Sequence, residues 1–220
     1  MPNPQTYYII DFDSTFIQVE AMDELANISL QEHPNKEEIL QQIKDITDLG
    51  MTGKMAFDET LRKRIVLLEA NKNHIEKLIT ILETKVSTSF IRHQDFLSTH
   101  AKNIYIVSGG FREYILPVVT QYGIQASHVF GNDFLYNDDQ KIIGYDTNNL
   151  LSQVNGKVKW LQQLQLQGNI IVIGDGYTDY QLKESGLANT FYLFTENVKR
   201  ELLILHADQV ITSLDDLFNS

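Results

Sequence analysis

The sequence predicts an α/β protein in which a doubly wound parallel sheet carries an inserted helical cap domain. Three apolar runs, at residues 7–10, 104–107 and 169–173, each end in polar residues, with glycine after the second and third. Helical patterns follow all three runs, as they do where parallel strands are joined by helical crossovers. Because ligands bind beyond the carboxyl ends of such strands, we expect one site where the three runs end.

The first run ends in two aspartates, Asp11 and Asp13, within the sequence DFDST. Side chains two residues apart on an extended chain share a face, so both carboxylates are expected to project the same way from the strand end. A carboxylate pair of this kind favours a hard cation.

The interval between the first and second strands is far too long for a simple βα connection, and its pattern is helical almost throughout. Helices are predicted at residues 20–28, 35–46, 56–70 and 74–82. We therefore expect a helical cap domain over residues 17–85. Residues 1–16 and 86–220 would then form the α/β core.

The α/β pattern resumes after the cap. A helix is expected over residues 111–122, bent or broken at Pro117, and residues 137–139 form the expected turn of a polar hairpin. The remaining predicted elements are a strand at 129–130, the hairpin at 134–145, helices at 156–167 and 179–184, a strand at 191–194 and a short acidic C-terminal helix.

Composition limits the partners and the kinds of site. With 220 residues, 43% of them hydrophobic, the chain can bury a substantial core. Its net charge of −11 argues against nucleic acid or an anionic membrane as a partner. The chain has no cysteine, so a metal site must use oxygen or histidine ligands. No secretory signal or membrane span is recognisable, and a cytoplasmic location is expected.

Polar residues after the second and third runs are candidates for anion and metal binding. Ser108, Gly109 and Gly110 stand between a strand and a helix, where free N–H groups favour a phosphate. A serine N-cap followed by flexible glycines is the alternative. Asp175 and Asp179, in GDGYTD, supply further carboxylates for a Mg²⁺ site, although an ordinary glycine loop has the same pattern.

Three further positions carry candidate charged groups. Lys157 and Lys159 both lie near the start of a predicted helix, where a lysine is unfavourable without a counter-charge, and spacing alone does not choose between them. Arg64 falls at the edge of an apolar helical stripe and needs an anionic partner there, unless it extends to solvent. Glu20 is either a site residue or an ordinary first-turn acid.

Four segments, in this order, resemble the motifs of the haloacid dehalogenase superfamily of phosphatases: DFDST, VSGGF at residues 107–111, a lysine at the head of a helix, and GDGYTD. The segments EAMDELA, MTGKMAF and LRKR further resemble the phosphoserine phosphatase family, including its cap. The resemblance spans roughly residues 7–194 and implies a Rossmann-like core. The chain departs from the family pattern at Val158, where glycine usually follows the catalytic lysine, and it lacks the usual Pro-Gly turn before the second strand.

The resemblance implies hydrolysis through an aspartyl phosphate. Asp11 would be the nucleophile, and Asp13 would protonate the leaving oxygen and then activate water. Lys157 is the catalytic lysine that the family's spacing favours. Mg²⁺ would be held by Asp11, the carbonyl of Asp13 and Asp175, with Asp179 in support.

The resemblance also implies how a substrate is bound. Ser108, Gly109 and Lys157 would hold the phosphoryl oxygens, and Thr178 belongs to the same set of substrate contacts. Arg64 would bind a substrate carboxylate and Glu20 a substrate ammonium. One charge for each end of a zwitterion favours an amino-acid phosphate.

The leading hypothesis is therefore a Mg²⁺-dependent phosphatase that acts on L-phosphoserine and serves L-serine biosynthesis. The nearest alternative is the same chemistry on another small phosphomonoester. A phospho-accepting regulatory domain and a dehalogenase also use clustered aspartates, but neither needs the acid at Asp13. A binding module without activity is a further alternative, and the sequence leaves the oligomeric state open.

Overall fold

A computed structural model describes residues 5–218 of the chain. Its strands are β1 (Thr6–Ile10), β2 (Ile104–Phe111), β3 (Val129–Asn132), β4 (Phe134–Tyr136), β5 (Ile142–Tyr145), β6 (Asn169–Gly174), β7 (Thr190–Phe194) and β8 (Gln209–Ile211). Six of these strands form one parallel sheet in the order β3-β2-β1-β6-β7-β8. The predicted doubly wound sheet is confirmed.

The strand order places a site at the middle of the sheet. The chain first builds outward from β1 through β2 to β3, and then outward on the other side through β6, β7 and β8. The connections after β1 and β6 therefore diverge at their carboxyl ends, where open sheets bind ligands. Ile10, the last residue of β1, pairs with Ile173, so β1 and β6 end within one residue of the same level.

Four helices fill the interval between β1 and β2 where the cap is predicted: α1 (Ala21–Ser29), α2 (Lys36–Met51), α3 (Phe57–Leu67) and α4 (Lys72–Glu83). Helix α2 is longer than predicted. Helix α3 is shorter than predicted, because Leu68 is already extended and the side chain of Asn71 caps α4 by accepting from the backbone N–H of His74. We call α1–α4 the cap helices. One buried apolar cluster contains Leu25 and Leu78 of these helices together with Ile10 of the sheet, so packing continues across them. The division at residues 17 and 85 stays a prediction.

The segments that enter and leave the cap helices run side by side. Ile17 and Val86 form an antiparallel bridge. The backbone N–H of Ser87 donates to the carbonyl of Phe16 at 2.9 Å, and that of Gln18 donates to the carbonyl of Lys85 at 2.8 Å. The two connections therefore form a short two-stranded ribbon.

The remaining helices are α5 (Thr88–Arg92), α6 (Gln94–Thr99), α7 (Arg112–Thr120), α8 (Gly156–Leu164) and α9 (Tyr177–Glu184). Of the bend or break expected at Pro117, the break is wrong, because α7 continues through this residue. A proline inside a helix costs about 3 kcal/mol, and the burial of Ile115, Val118 and Val119 on the same helix offsets that cost. The helix expected at 156–167 ends early because Gln165 is left-handed, with φ 49°.

The hairpin predicted after β3 is confirmed. Strands β4 and β5 pair antiparallel, and Asn137 begins the turn by accepting from Gln140 at 2.9 Å. The expected C-terminal helix is a 3₁₀ turn at Leu214–Leu217, and β8 was not expected from the sequence. Between residues 5 and 218, no helix is both long enough and apolar enough to cross a membrane.

Candidate active site

Asp11 and Asp13 lie where the chain turns sharply after β1. Both residues have extended backbone angles, and the turn that follows requires Ser14 to be left-handed, with φ 53°. Both carboxylates line the same pocket, which confirms the geometry expected from their spacing. Asp13 Oδ1 accepts from the backbone N–H of Ala21 at 2.8 Å, so the start of α1 fixes this side chain.

Asp175 and Asp179 approach Asp11 from β6 and α9. The three residues offer carboxylate oxygens that lie within 4.8 Å of one another, and all three side chains are buried. The glycine before Asp175 is required, because a Cβ at Gly174 would lie 2.2 Å from Cγ of Asp179. Closely spaced buried carboxylates are a donor set that fits Mg²⁺, so these residues can hold the expected ion.

Lys157, and not Lys159, reaches this cluster. Its Nζ lies 2.8 Å from Oδ1 of Asp11 and 2.7 Å from Oδ1 of Asp179, and its side chain is only 5% exposed. Burial lowers the pKa of Lys157, but the carboxylates of Asp11 and Asp179 outweigh that effect and raise it above the ordinary lysine value. Lys159 instead donates to Gln153 at 3.0 Å. Lys157 is therefore a fixed positive charge beside the acid at the end of β1.

Ser108, Gly109 and Gly110 lie in the irregular end of β2, which runs on to Phe111, and not in a separate loop as expected. The Ser108 hydroxyl accepts from the backbone N–H of Gly110 at 2.9 Å and does not cap α7. A Cβ at Gly109 would lie 2.4 Å from the ring of Phe57 on α3, so glycine lets the cap approach closely here. Ser108, both glycines and Thr178 of α9 line the pocket.

The cap helices contribute the opposite wall of the pocket. Arg64 is the basic residue of LRKR that turns inward, since it is 5% exposed whereas Arg62 and Lys63 face solvent. Its Nε has no hydrogen-bond partner among residues 5–218. Glu20 also lines the pocket and accepts from the hydroxyl of Ser14 at 2.7 Å. The ten predicted site residues lie in this region: Asp11, Asp13, Glu20, Arg64, Ser108, Gly109, Lys157 and Thr178 in the pocket wall, and Asp175 and Asp179 beside Asp11.

Arg200 is a site residue that sequence reasoning missed. Its Nε donates to Oδ2 of Asp175 at 2.7 Å, and its other nitrogens lie 3.4 Å from Glu20 and 3.9 Å from Asp48. The residue follows β7 in a stretch without helical or strand periodicity, next to the equally basic Lys199. The excess of acidic residues among the predicted site residues indicated that another basic side chain was needed. The local sequence pattern did not identify Arg200 as that side chain.

Burial and mutual repulsion make most of these acids easier to protonate. Burial is the main cause in each case, and it raises the pKa of Asp13 and of Asp175 to about 7. Burial likewise raises the pKa of Glu20 and of Asp179 to about 8. Neighbouring carboxylates add to each shift, and Arg200 and Lys157 oppose it only in part. A cation bound among these carboxylates would reduce the repulsion between them.

The pocket is small. Its cavity volume is about 20 Å³, which is room for about one water molecule. Its walls carry acidic, basic and hydroxyl groups together with Met22, Met51 and Phe57.

Comparison with known proteins gives consistent results. The phosphoserine phosphatase of Homo sapiens is 27% identical over 210 residues, which cover 94% of this chain and 89% of the human protein. The chloroplastic phosphoserine phosphatase of Arabidopsis thaliana is 29% identical over 213 residues, or 96% of this chain and 70% of that protein. Each comparison spans nearly the whole of this chain.

Solved structures share the same fold. A phosphoserine phosphohydrolase-like protein from Francisella tularensis superposes with a TM-score of 0.87 at 29% identity, covering 98% of this chain and 99% of that one. The sequence profile of haloacid dehalogenase-like hydrolases matches residues 9–184. Because this match spans most of the sequence and includes Asp11, Lys157 and Asp175, the chain belongs to the haloacid dehalogenase-like hydrolase family.

Proposed function

We propose that this protein is a Mg²⁺-dependent phosphomonoester hydrolase that converts L-phosphoserine to L-serine and phosphate. The observation that carries the proposal is the meeting, in one pocket, of Asp11 after β1, Ser108 of β2 and Lys157 of α8 with Glu20 and Arg64 from the cap. The first group suits phosphoryl transfer, and the second suits the two charged ends of an amino acid.

Asp11 is the proposed nucleophile. Its Oδ1 is held by the Lys157 ammonium at 2.8 Å and by the backbone N–H of Phe12 at 2.8 Å, which fixes the carboxylate in one orientation. Attack on phosphorus forms an aspartyl phosphate and breaks the bond to the serine oxygen, and water then releases phosphate from Asp11. Lys157, Ser108 and Gly109 line the same pocket and are the proposed contacts of the phosphoryl oxygens.

Asp13 is the proposed general acid and base. Its pKa, raised by burial to about 7, allows this carboxyl to give a proton to the leaving serine oxygen and to take one from water near neutral pH. The bond from Ala21 to its Oδ1 leaves Oδ2 on the side of Ser108, at 3.4 Å. A phospho-accepting regulatory domain would gain nothing from such a group, so Asp13 favours the hydrolase.

Asp11, the Asp13 carbonyl and Asp175 are the proposed Mg²⁺ ligands, with Asp179 in support. When bound, the ion supplies positive charge that lets an anionic phosphate approach the Asp11 carboxylate. Arg200 holds Asp175 in place from the other side. A role in L-serine biosynthesis and a cytoplasmic location stay predictions that follow from this activity.

Turnover of a panel of small phosphate esters, with Mg²⁺ and then with EDTA, tests the proposal. We expect L-phosphoserine to have the highest kcat/KM, EDTA to abolish phosphate release, and Asp11→Asn to be inactive in Mg²⁺. A clear preference for a phosphate ester without an amino-acid group would replace the proposed substrate. A single equivalent of stable phosphoprotein, without turnover, would instead indicate a regulatory domain.

A further inference from the structure

Arg64 is connected to a partly buried acid, Asp23, on another cap helix. Its Nη1 donates to Oγ1 of Thr47 at 3.3 Å, and Oγ1 of Thr47 donates to Oδ1 of Asp23 at 3.0 Å. The three residues come from α3, α2 and α1 respectively. A single hydrogen-bonded chain therefore joins three of the cap helices at Arg64.

The direction of this chain follows from the single hydroxyl proton of Thr47. Two acceptors lie at 3.0 Å from its oxygen, the Asp23 carboxylate and the carbonyl of Ile43. Hydrogen bonds to an ionised acceptor are stronger, so the proton points toward Asp23. A lone pair of the hydroxyl then faces the Arg64 guanidinium, which has only donors.

Burial gives the chain its importance. Thr47 is 3% exposed and Arg64 is 5% exposed, so water competes little for the bond between them, whereas Asp23 is only partly buried. Burial raises the pKa of Asp23, and the nearby Arg64 charge and the Thr47 hydroxyl oppose that rise. Neither Asp23 nor Thr47 lines the pocket, whereas Arg64 does. Their hydrogen bonds therefore reach a bound molecule through Arg64, while the charge of Asp23 also acts on Glu20.

We propose that Asp23 and Thr47 are positioning residues that orient the Arg64 guanidinium for a substrate carboxylate. The proposal rests on the proposed function and deepens it by assigning selectivity for the carboxylate to a buried chain behind the pocket. Thr47 occupies Nη1, and the Nε of Arg64 has no partner in the part of the protein that the structure describes, so part of the guanidinium is held while another donor stays available. A planar guanidinium held at one nitrogen can present paired donors to a carboxylate.

Two substrates that differ only in the carboxylate test the proposal. O-phosphoserine and O-phosphoethanolamine share the phosphate and the ammonium, and only the first can bind Arg64 through a carboxylate. Thr47→Val removes the acceptor at nearly constant shape, and Asp23→Asn removes the charge. We expect each variant to raise the KM for phosphoserine about tenfold, as for loss of a hydrogen bond to a charged group. Values of kcat, and KM for phosphoethanolamine, should change less than about twofold.

Asp45→Asn is the matched control, because Asp45 is an exposed aspartate of α2 that does not belong to the hydrogen bonds joining Arg64, Thr47 and Asp23. This control should leave KM and kcat unchanged for both substrates. In an Arg64→Ala background, Asp23→Asn should have no further effect on the ratio of the two KM values, since the positioned group is gone. Thermal melting identifies a variant that fails to fold, and Thr47→Val, which removes no charge, then carries the test.

The outcomes separate the two proposals. Wild-type protein that does not hydrolyse phosphoserine contradicts the proposed function. If the wild-type protein does hydrolyse phosphoserine, three results for the variants would overturn the positioning role of Asp23 and Thr47. These are an equal change in the KM values for both substrates, no change in either KM, and a lower KM for phosphoserine.

Discussion

The Nε of Arg200 lies 2.7 Å from Oδ2 of Asp175, and the same guanidinium reaches Glu20 and Asp48. One arginine from the segment after β7 thereby contacts the loop after β6, the residue that precedes α1, and α2. Its positive charge offsets acids on both sides of the pocket. Removing it would leave Asp175 as a buried carboxylate with no basic partner among its described hydrogen bonds.

Arg200→Met should destabilise the metal-free protein by about 3–5 kcal/mol, the usual cost of breaking a buried ion pair. Denaturant unfolding in EDTA measures this change. Mg²⁺ should restore part of the loss, because a cation beside Asp175 replaces the missing charge. Lys199→Met is the control, since Lys199 forms an exposed ion pair with Glu201, and it should change stability by less than about 1 kcal/mol. An equal effect of both substitutions would contradict the role of Arg200.

Asp13→Asn should separate the two halves of the proposed reaction. The amide oxygen can still accept from Ala21, so the fold is expected to persist. With phosphoserine, loss of the general acid should lower kcat about 100- to 10,000-fold. With an aryl phosphate, whose leaving group needs no proton, phosphorylation of Asp11 should proceed and the phosphoenzyme should accumulate. Rapid-quench measurement would show a burst, and the absence of a burst with both substrates would remove Asp13 from the acid–base role.

Without metal, the protein should become less stable as the pH rises from about 5 to about 8. Burial raises the pKa values of Asp13 and Asp175 from 3.8 to about 7, and that of Glu20 from 4.5 to about 8. The folded chain therefore binds more protons than the unfolded chain in this range, and the stabilisation that protonation gives is lost as the pH passes the folded values. Thermal melting in EDTA should show a falling midpoint, whereas Mg²⁺ should flatten the profile. A midpoint that rises with pH in EDTA would contradict the assigned burial effects.

Gly174→Ala should disturb the acid cluster through Asp179. The new Cβ would lie 2.2 Å from Cγ of Asp179, so this side chain must move away from Lys157 and Asp11. Overpacking of this kind costs about 1–3 kcal/mol, and the affinity for Mg²⁺, measured by calorimetry, should fall. Gly144→Ala is the matched control, because a Cβ there meets nothing within 4 Å. Unchanged Mg²⁺ binding in Gly174→Ala would show that Asp179 does not support the ion.

Arg64→Ala should raise the KM for phosphoserine by about tenfold or more while leaving a generic aryl phosphate nearly unchanged. The reason is that only phosphoserine offers a carboxylate to the guanidinium. Steady-state kinetics with both substrates measure the difference. Equal losses on the two would remove Arg64 from substrate recognition.

Much of the fold and site could be predicted because local patterns were strong. Continuous apolar runs with polar ends located the central strands. Helical periodicity identified Arg64 as the basic residue of its helix that turns inward. The choice of Lys157 over Lys159 depended on the family's spacing, and the buried contacts of Lys157 agree with it. These features depend on residues close together in the chain.

The missed features depend on contacts between distant residues. Arg200 pairs with Asp175 and Glu20, so its burial could not be inferred from its neighbours in the sequence. Strand β8 has three residues, of which only Ile211 is buried, and pairing with β7 gives it its extended form. The break expected at Pro117 did not occur because tertiary packing outweighed a local propensity.

The ribbon formed by Ile17 and Val86 has a mechanical consequence. The two segments that connect the cap helices to the sheet are bonded to each other, so they bend together. Displacement of the cap helices would therefore be a hinge rotation about one axis and not two independent movements. Such a swing would carry Arg64 and Thr47 as one unit while Asp11 and Lys157 stayed with the sheet. Opening the pocket would then separate Arg64, which is proposed to recognise the amino acid, from Asp11 and Lys157, which are proposed to transfer phosphate.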